Sequence, residues 1–415
     1  MSPQDSQDFR RKKVSQHARN VYQLERPQYL LNDDVLKRNK IDIPFLQSFY
    51  ESIPLSYPIK DRLTVAQSHK LIRNIFFAFY HATVFYKTDD REHLFCHLLE
   101  WETHYENTDD YPLFLLIAAM YYISLETHLS EAKRIIKFLH KIHMQNEENY
   151  TFDDLIFIQY SALLDHYTLH NEDALEKLLI VQQYAQVQNM KAMNEYYLTM
   201  VYLSLGDTIK AKNSSQKAIH LFLAAGNSIR WLYTEMNDAK IMASVGQFNR
   251  AISIYGNCLI GAVNLKYDSM AEDILECKAC SELYAGQYEQ SLRSLTLLHH
   301  SKHANNLHYH YALNYFYLEQ PHKALKWLEA GKQVEHKSQT SILYLELVEL
   351  FLFSNNLTKI IRHLEKMYQL EYQSRHYGSR CYIAHLLIFF LTKQNRDDEA
   401  KIYQNVIHST ENRLI

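Results

Sequence analysis

Glycine and proline are scarce in this chain, eight and seven among 415 residues. Sandwiches and barrels of strands need many turn residues, so the shortage excludes them and leaves long helices with short connections. The five cysteines are an odd number at spacings that form no disulfide framework, which points to a reducing, cytoplasmic setting. The longest apolar run, LFLLIAAMYYISL from Leu113, is too short to cross a bilayer and fits a buried helix. The opening MSPQDSQDFRRKK has no apolar stretch of the kind a signal peptide needs. Walker, GxGxxG, GxSxG and HExxH motifs are all missing, so nothing marks a phosphate cradle, a nucleophile or a zinc protease. The expectation is a binder rather than an enzyme, with no catalytic residues, no cofactor, no metal and no membrane contact.

What is present begins with three glycines, Gly206, Gly246 and Gly286, in one register of forty residues. Each follows a helix-like stretch, and each is followed five residues later by a small residue: Ala211, Ala251 or Ser291. A glycine supplies the positive φ that ends a helix without a Cβ clash. Asp207 is placed to cap the helix that follows. Such a period means stacked helical hairpins. Weaker copies extend both ways. Their second-helix anchors are Ala132, Ala174, Ala211, Ala251, Ser291, Ala324, Ile360 and Ala400, at steps of 33 to 42 residues. A ninth unit is expected near Leu94. Tyrosine is abundant at 32, which suits surfaces that are half core and half binding face.

The Gly-x-Tyr/Phe turn, the small residue three further on and the aromatic four beyond that resemble the tetratricopeptide repeat. The resemblance covers roughly residues 70–410 and is sharpest in the middle three units. It implies an all-α, right-handed superhelical solenoid of about eight or nine units over 61–415, behind a small helical module at 1–60.

That module does not repeat. Residues 1–40 carry nine Lys/Arg against five acids, a net of +4, so the remainder carries −7 of the total of −3. Arg10, Arg11, Lys12, Lys13, Arg19 and Arg26 are the candidate nucleic-acid contacts; a solvated terminus is the other reading of the same charges. VSQHARN, VYQLERPQ and LKRNKIDIPFLQSFYESI resemble parts of a lambda-repressor-like helix-turn-helix. Only nine residues separate Gln16 from Glu25, and Pro27 stands where glycine is usual. The module therefore reads as a degenerate or truncated helix-turn-helix.

Two clusters invite metal or redox chemistry. His299, His300, His303, His308 and His310 lie close together, yet no acid or cysteine completes a site. Cys277 and Cys280 form one CxxC without a second pair, in mid-helix, and read as packing residues.

In stacked hairpins the first helix of each pair lines the concave side. Counting back from the turns places Tyr196, Tyr197, Met200, Tyr233, Asn237, Lys240, Glu276, Cys280, Asn306, Tyr309, His310, Leu313, Glu346 and Glu349 inward. Asn can pair with a peptide backbone, Tyr supplies area at low entropic cost, and Lys240 could hold a terminal carboxylate. A small N-terminal module before a long degenerate repeat domain resembles the peptide-sensing RRNPP regulators, the group of Rap, Rgg, PlcR, PrgX and AimR. The resemblance implies a short signalling peptide in the concave groove and a homodimer through the terminal repeats. It implies an output either on DNA or through capture of a protein partner.

Overall fold

The computed structural model describes residues 65–411, apart from 87, 107, 127, 144–149, 299–306, 336 and 372–377. The basic module and its six candidate contacts lie outside the described residues. Among those described there is no strand. The helices pair into nine successive hairpins. The first is α1 (Val65–Val84) with α2 (Thr88–Glu100), followed by the single turn α3 (Glu102–Tyr105). Next come α4 (Tyr111–Ser124) with α5 (Leu129–His143), α6 (Phe152–Tyr167) with α7 (Asn171–Tyr184), and α8 (Gln188–Ser204) with α9 (Thr208–Ala224). Then α10 (Ser228–Ser244) pairs with α11 (Phe248–Asn264), and α12 (Asp268–Tyr284) with α13 (Tyr288–Leu297). The last three are α14 (His308–Tyr317) with α15 (Pro321–Lys332), α16 (Gln339–Phe353) with α17 (Leu357–Glu371), and α18 (Ser379–Lys393) with α19 (Asp397–Glu411).

The three register glycines are left-handed, at φ 78°, 81° and 77°. The amide of Gly206 donates to the Leu203 carbonyl and that of Asp207 to the Tyr202 carbonyl, which is the Schellman closure of a helix end. Gly246 and Gly286 repeat it. So do Leu169, Glu319 and Asn395, which take φ of 67°, 57° and 59° with side chains in place. Left-handed backbone costs a side-chain-bearing residue about 1–2 kcal/mol. The turn geometry is thus kept where the glycine is not, and this is why the outer repeats are faint in sequence. Asp207 does cap α9, accepting from the Lys210 amide at 3.1 Å.

All the small anchors sit where the second helix crosses the first. Ala132, Ala174, Ala211, Ala251, Ser291 and Ala324 are wholly buried, and Ile360, Ala400 and Leu94 nearly so. A larger residue at such a crossing forces off-rotamer neighbours or backbone shifts.

The chain divides into two compact units. The first takes the chain up to Tyr197 together with His220–Arg230; the second takes Leu198–Ile219 together with the chain from Trp231 onward. Each is closed by a contact between hairpins far apart in sequence. In the first unit Asn227 Nδ2 donates to the Val84 carbonyl at 2.9 Å, while Arg230 donates to the carbonyls of Val84 and Thr83 at 3.1 and 2.6 Å. These carbonyls end α1, and that of Thr83 also accepts from the Tyr86 amide at 3.2 Å. In the second unit α18 reaches back to α10, α12 and α14. Gly378 abuts Ala243, Tyr382 stacks on Tyr284 at 4.6 Å, and its hydroxyl meets that of Tyr317 at 2.5 Å. No helix among the described residues is long and apolar enough to cross a membrane.

Candidate functional site

The inward set falls partly in each unit. In the second unit it starts on α10, which is buried on nearly every side. Tyr233 and Asn237 are 8% and 4% exposed, and Lys240 is half-buried. One helical step away Asp238 is held by Lys212 of α9 at 2.5 Å, so α10 is fixed in rotation by an ion pair. The Nδ2 of Asn237 is buried without a hydrogen-bond partner among the described residues. A buried amide donor left unsatisfied costs about 1–3 kcal/mol.

On α12, Glu276 and Cys280 are half-buried. On α14, Tyr309 stacks on Tyr344 of α16 at 4.8 Å, and the buried His310 sets its Nε2 3.4 Å from Cys280 Sγ. Leu313 is fully buried. Met200, at the second unit's end of α8, is half-buried. Glu346 and Glu349 are engaged from the second helices: Glu349 pairs with Lys332 at 3.0 Å, and Glu346 lies 3.7 Å from His363. Asn306 lies outside the described residues. The face therefore offers phenol rings, one unmet amide donor, a lysine and a carboxylate, a mixture suited to an extended polar chain with intermittent side chains.

In the first unit Tyr196 is half-buried and Tyr197 is 5% exposed. They flank a residue that the hydrophobic pattern did not reveal. Arg230, 6% exposed, lies over the rings of Tyr86 and Tyr196 at 5.0 and 5.5 Å. Arg91, 5% exposed, lies over the other partner ring, Tyr86, at 5.6 Å. Burial lifts the hydroxyls of Tyr80, Tyr160 and Tyr197, and the Arg230 charge works against that rise in each. The only sequence signal was the wealth of tyrosine.

Cys277 and Cys280 stand mid-helix on α12, as the spacing implied. Burial pushes the Cys277 thiol up to about 11 and that of Cys280 well above its ordinary value. Both therefore stay protonated and unreactive at neutral pH. Among the described residues no three His, Cys, Asp or Glu side chains are grouped to hold a metal. Of the histidine cluster, His308 and His310 are described and lie on α14.

Among solved structures the chain is similar to a Rap protein complexed with Competence and Sporulation Factor. The TM-score is 0.64 at 14% identity, over 83% of this chain and 99% of that one. The fold is that of the Rap and NprR proteins. The apo form of the quorum sensor NprR from B. thuringiensis gives 0.59 at 16% identity, over 83% and 99%. NprR in complex with its cognate peptide NprX gives 0.57 at 17% identity, over 82% and 99%. No family model matches the sequence, and no curated protein sequence matches it. The RRNPP resemblance read from the repeats is thus matched at the level of fold.

Proposed function

We propose that the chain is a peptide-responsive regulator of transcription. A short signalling peptide lies along the first helices and biases the repeat domain between two arrangements; the basic module at 1–60 contacts DNA. The observation that carries the peptide reading is Asn237. Its unmet amide donor lies one helical turn from Tyr233 on α10 and is covered in this arrangement; the change of arrangement that accompanies binding uncovers it for a peptide carbonyl. The fold shared with proteins solved in complex with a peptide or with Competence and Sporulation Factor supports the same reading. Lys240 on the same helix suits a peptide carboxylate.

The second reading is partner capture without DNA, favoured by α5, whose outer surface mixes exposed Phe138 and Ile142 with exposed Lys133, Arg134, Lys137 and Lys141. An aromatic among cations is the composition of a protein-docking anchor.

The test is capture from a pool of synthetic hexapeptides, with bound species identified by mass spectrometry after gel filtration. The wild-type protein retains a narrow peptide set. Tyr233→Ala combined with Asn237→Ala retains none, at unchanged helical content. A double variant that retains the same peptides sinks the assignment of this face.

A further inference from the structure

The second helices of the second unit carry a row of cations of which Lys212 and Lys332 serve the fold and the inward face, and the rest serve neither. Five consecutive outer helices, α9, α11, α13, α15 and α17, hold eleven Lys/Arg and four Asp/Glu between them. The cations recur in register. Lys210, Arg250, Lys323 and Lys359 occupy the third residue of α9, α11, α15 and α17, and Arg293, Lys326 and Arg362 the sixth residue of α13, α15 and α17. All seven are exposed.

Local helix stability does not account for this placement. The first turn of a helix favours acids and disfavours cations, because of the macrodipole. The outer helices of the first unit obey: Asp89 and Asp90 open α2, Glu131 opens α5, and Glu172 and Asp173 open α7. In α9, α11, α15 and α17 the first turn holds no acid at all. Ion pairing takes up at least four of the eleven: Lys212 meets Asp238 at 2.5 Å and Lys332 meets Glu349 at 3.0 Å. Lys210 meets Asp207 at 3.1 Å and Arg293 meets Glu289 at 3.9 Å. Lys326, Lys359 and Arg362 have no carboxylate partner among the described residues.

The neighbours of these cations select the ligand class. Asn213, Gln216, Asn249, Ser253, Asn257, Gln290 and Thr358 are exposed on the same helices. Amides and hydroxyls between lysines and arginines are the donors that meet phosphate oxygens. The row lacks the large aromatic anchors that a protein interface is built around.

We propose that this row is a second nucleic-acid surface, which holds the phosphate backbone of duplex DNA without reading its sequence. It deepens the transcription reading and rests on it: the basic module would choose the site, and the row would hold the flanking duplex.

The experiment measures affinity of the full-length protein for a 30-base-pair duplex of arbitrary sequence across a salt series. Three variants run in parallel: Arg250→Gln/Lys326→Gln/Lys359→Gln/Arg362→Gln on the row, Lys133→Gln/Lys137→Gln/Lys141→Gln on α5, and Arg10→Gln/Arg11→Gln/Lys12→Gln/Lys13→Gln in the module. With each phosphate contact adding about 0.9 to the slope of log K on log salt, the row variant is expected to flatten that slope by about 3–4 and the α5 variant to leave it unchanged. A row variant with the wild-type slope, an α5 variant that flattens it equally, or a wild-type protein without duplex affinity at low salt overturns the proposal. The module variant reports separately on the transcription reading. If it alone binds normally while the row variant flattens, that reading loses its DNA contact and the row keeps its own.

Discussion

The two units are closed by contacts of opposite chemistry. In the first, a buried arginine and an asparagine meet the carbonyls at the end of α1 across more than 140 residues. In the second, a glycine without a side chain lets α18 touch Ala243, and tyrosine rings fill the space beside it. A polar closure depends on directed donors: removing the guanidinium takes one donor from each of the Val84 and Thr83 carbonyls, which keep only the Asn227 side-chain amide and the Tyr86 backbone amide. A closure made mostly of ring contacts, with the one hydroxyl–hydroxyl bond of Tyr317 and Tyr382, loosens by degrees, because each shift of a few tenths of an ångström forfeits only part of the dispersion contact. The first unit is expected to behave as a fixed platform, and the second as the part whose curvature a ligand can bias.

The largest expected effect tests the polar side. Arg230→Ala removes two charge-assisted hydrogen bonds, each worth about 1.5–3 kcal/mol, and the ring contacts to Tyr86 and Tyr196. A loss of about 3 kcal/mol or more in denaturant unfolding is expected. Hydrogen exchange should rise first in α1 and leave α18 protected. Equal loss of protection in α18, or a cost below about 1 kcal/mol, would erase the contrast between the units.

The apolar side is tested with a pair of glycines. Gly378 has φ +95° and a Cβ there would come within 3.1 Å of the Ala243 Cβ and 3.2 Å of its carbonyl oxygen. Gly206 has φ +78° with nothing within 4 Å. Alanine at Gly206 therefore meets only backbone strain, about 1 kcal/mol. Alanine at Gly378 adds displacement of α18 from α10, for about 2 kcal/mol in all. Equal costs in thermal unfolding would mean that the α18 contact is slack and no part of what holds the second unit together.

Glycines also show how far the sequence could be read. Gly206, Gly246 and Gly286 announced the hairpin, and the buried anchors from Ala132 to Ala400 followed from it, because a helix crossing needs a small residue whatever the turn. The period faded at Leu169, Glu319 and Asn395, where the left-handed turn is kept without glycine. The count back from a turn was enough to place Tyr233 and Asn237 on α10 and Tyr309 on α14, the first helices of their hairpins. That Glu346 and Glu349 are engaged from the second helices was not legible: Lys332 and His363 each lie seventeen residues away, a separation no helical period connects. Arg230 escaped for a different reason. Its partners are backbone carbonyls at the far end of α1, and a carbonyl leaves no mark in a sequence.

The smallest effect sharpens the contrast from within the first unit, by asking whether all its buried polar groups are satisfied. Asp90 lies in the first turn of α2, where its charge is welcome to the macrodipole, yet one of its carboxylate oxygens is buried without a partner. Burial raises its carboxyl from 3.8 to about 6. A carboxyl raised in the folded state favours folding when protonated. Its contribution is complete below the unfolded value and is lost as the pH climbs through about 6. At pH 7 the ionised group therefore weakens the unit. Partial exposure screens the effect to below about 1 kcal/mol. Asp90→Asn should raise the melting temperature at pH 7 by about 1–2 °C and leave it unchanged near pH 4. A gain of equal size at both pH values would trace the effect to packing instead, and would place Asp90 among the satisfied groups of a uniformly stable platform.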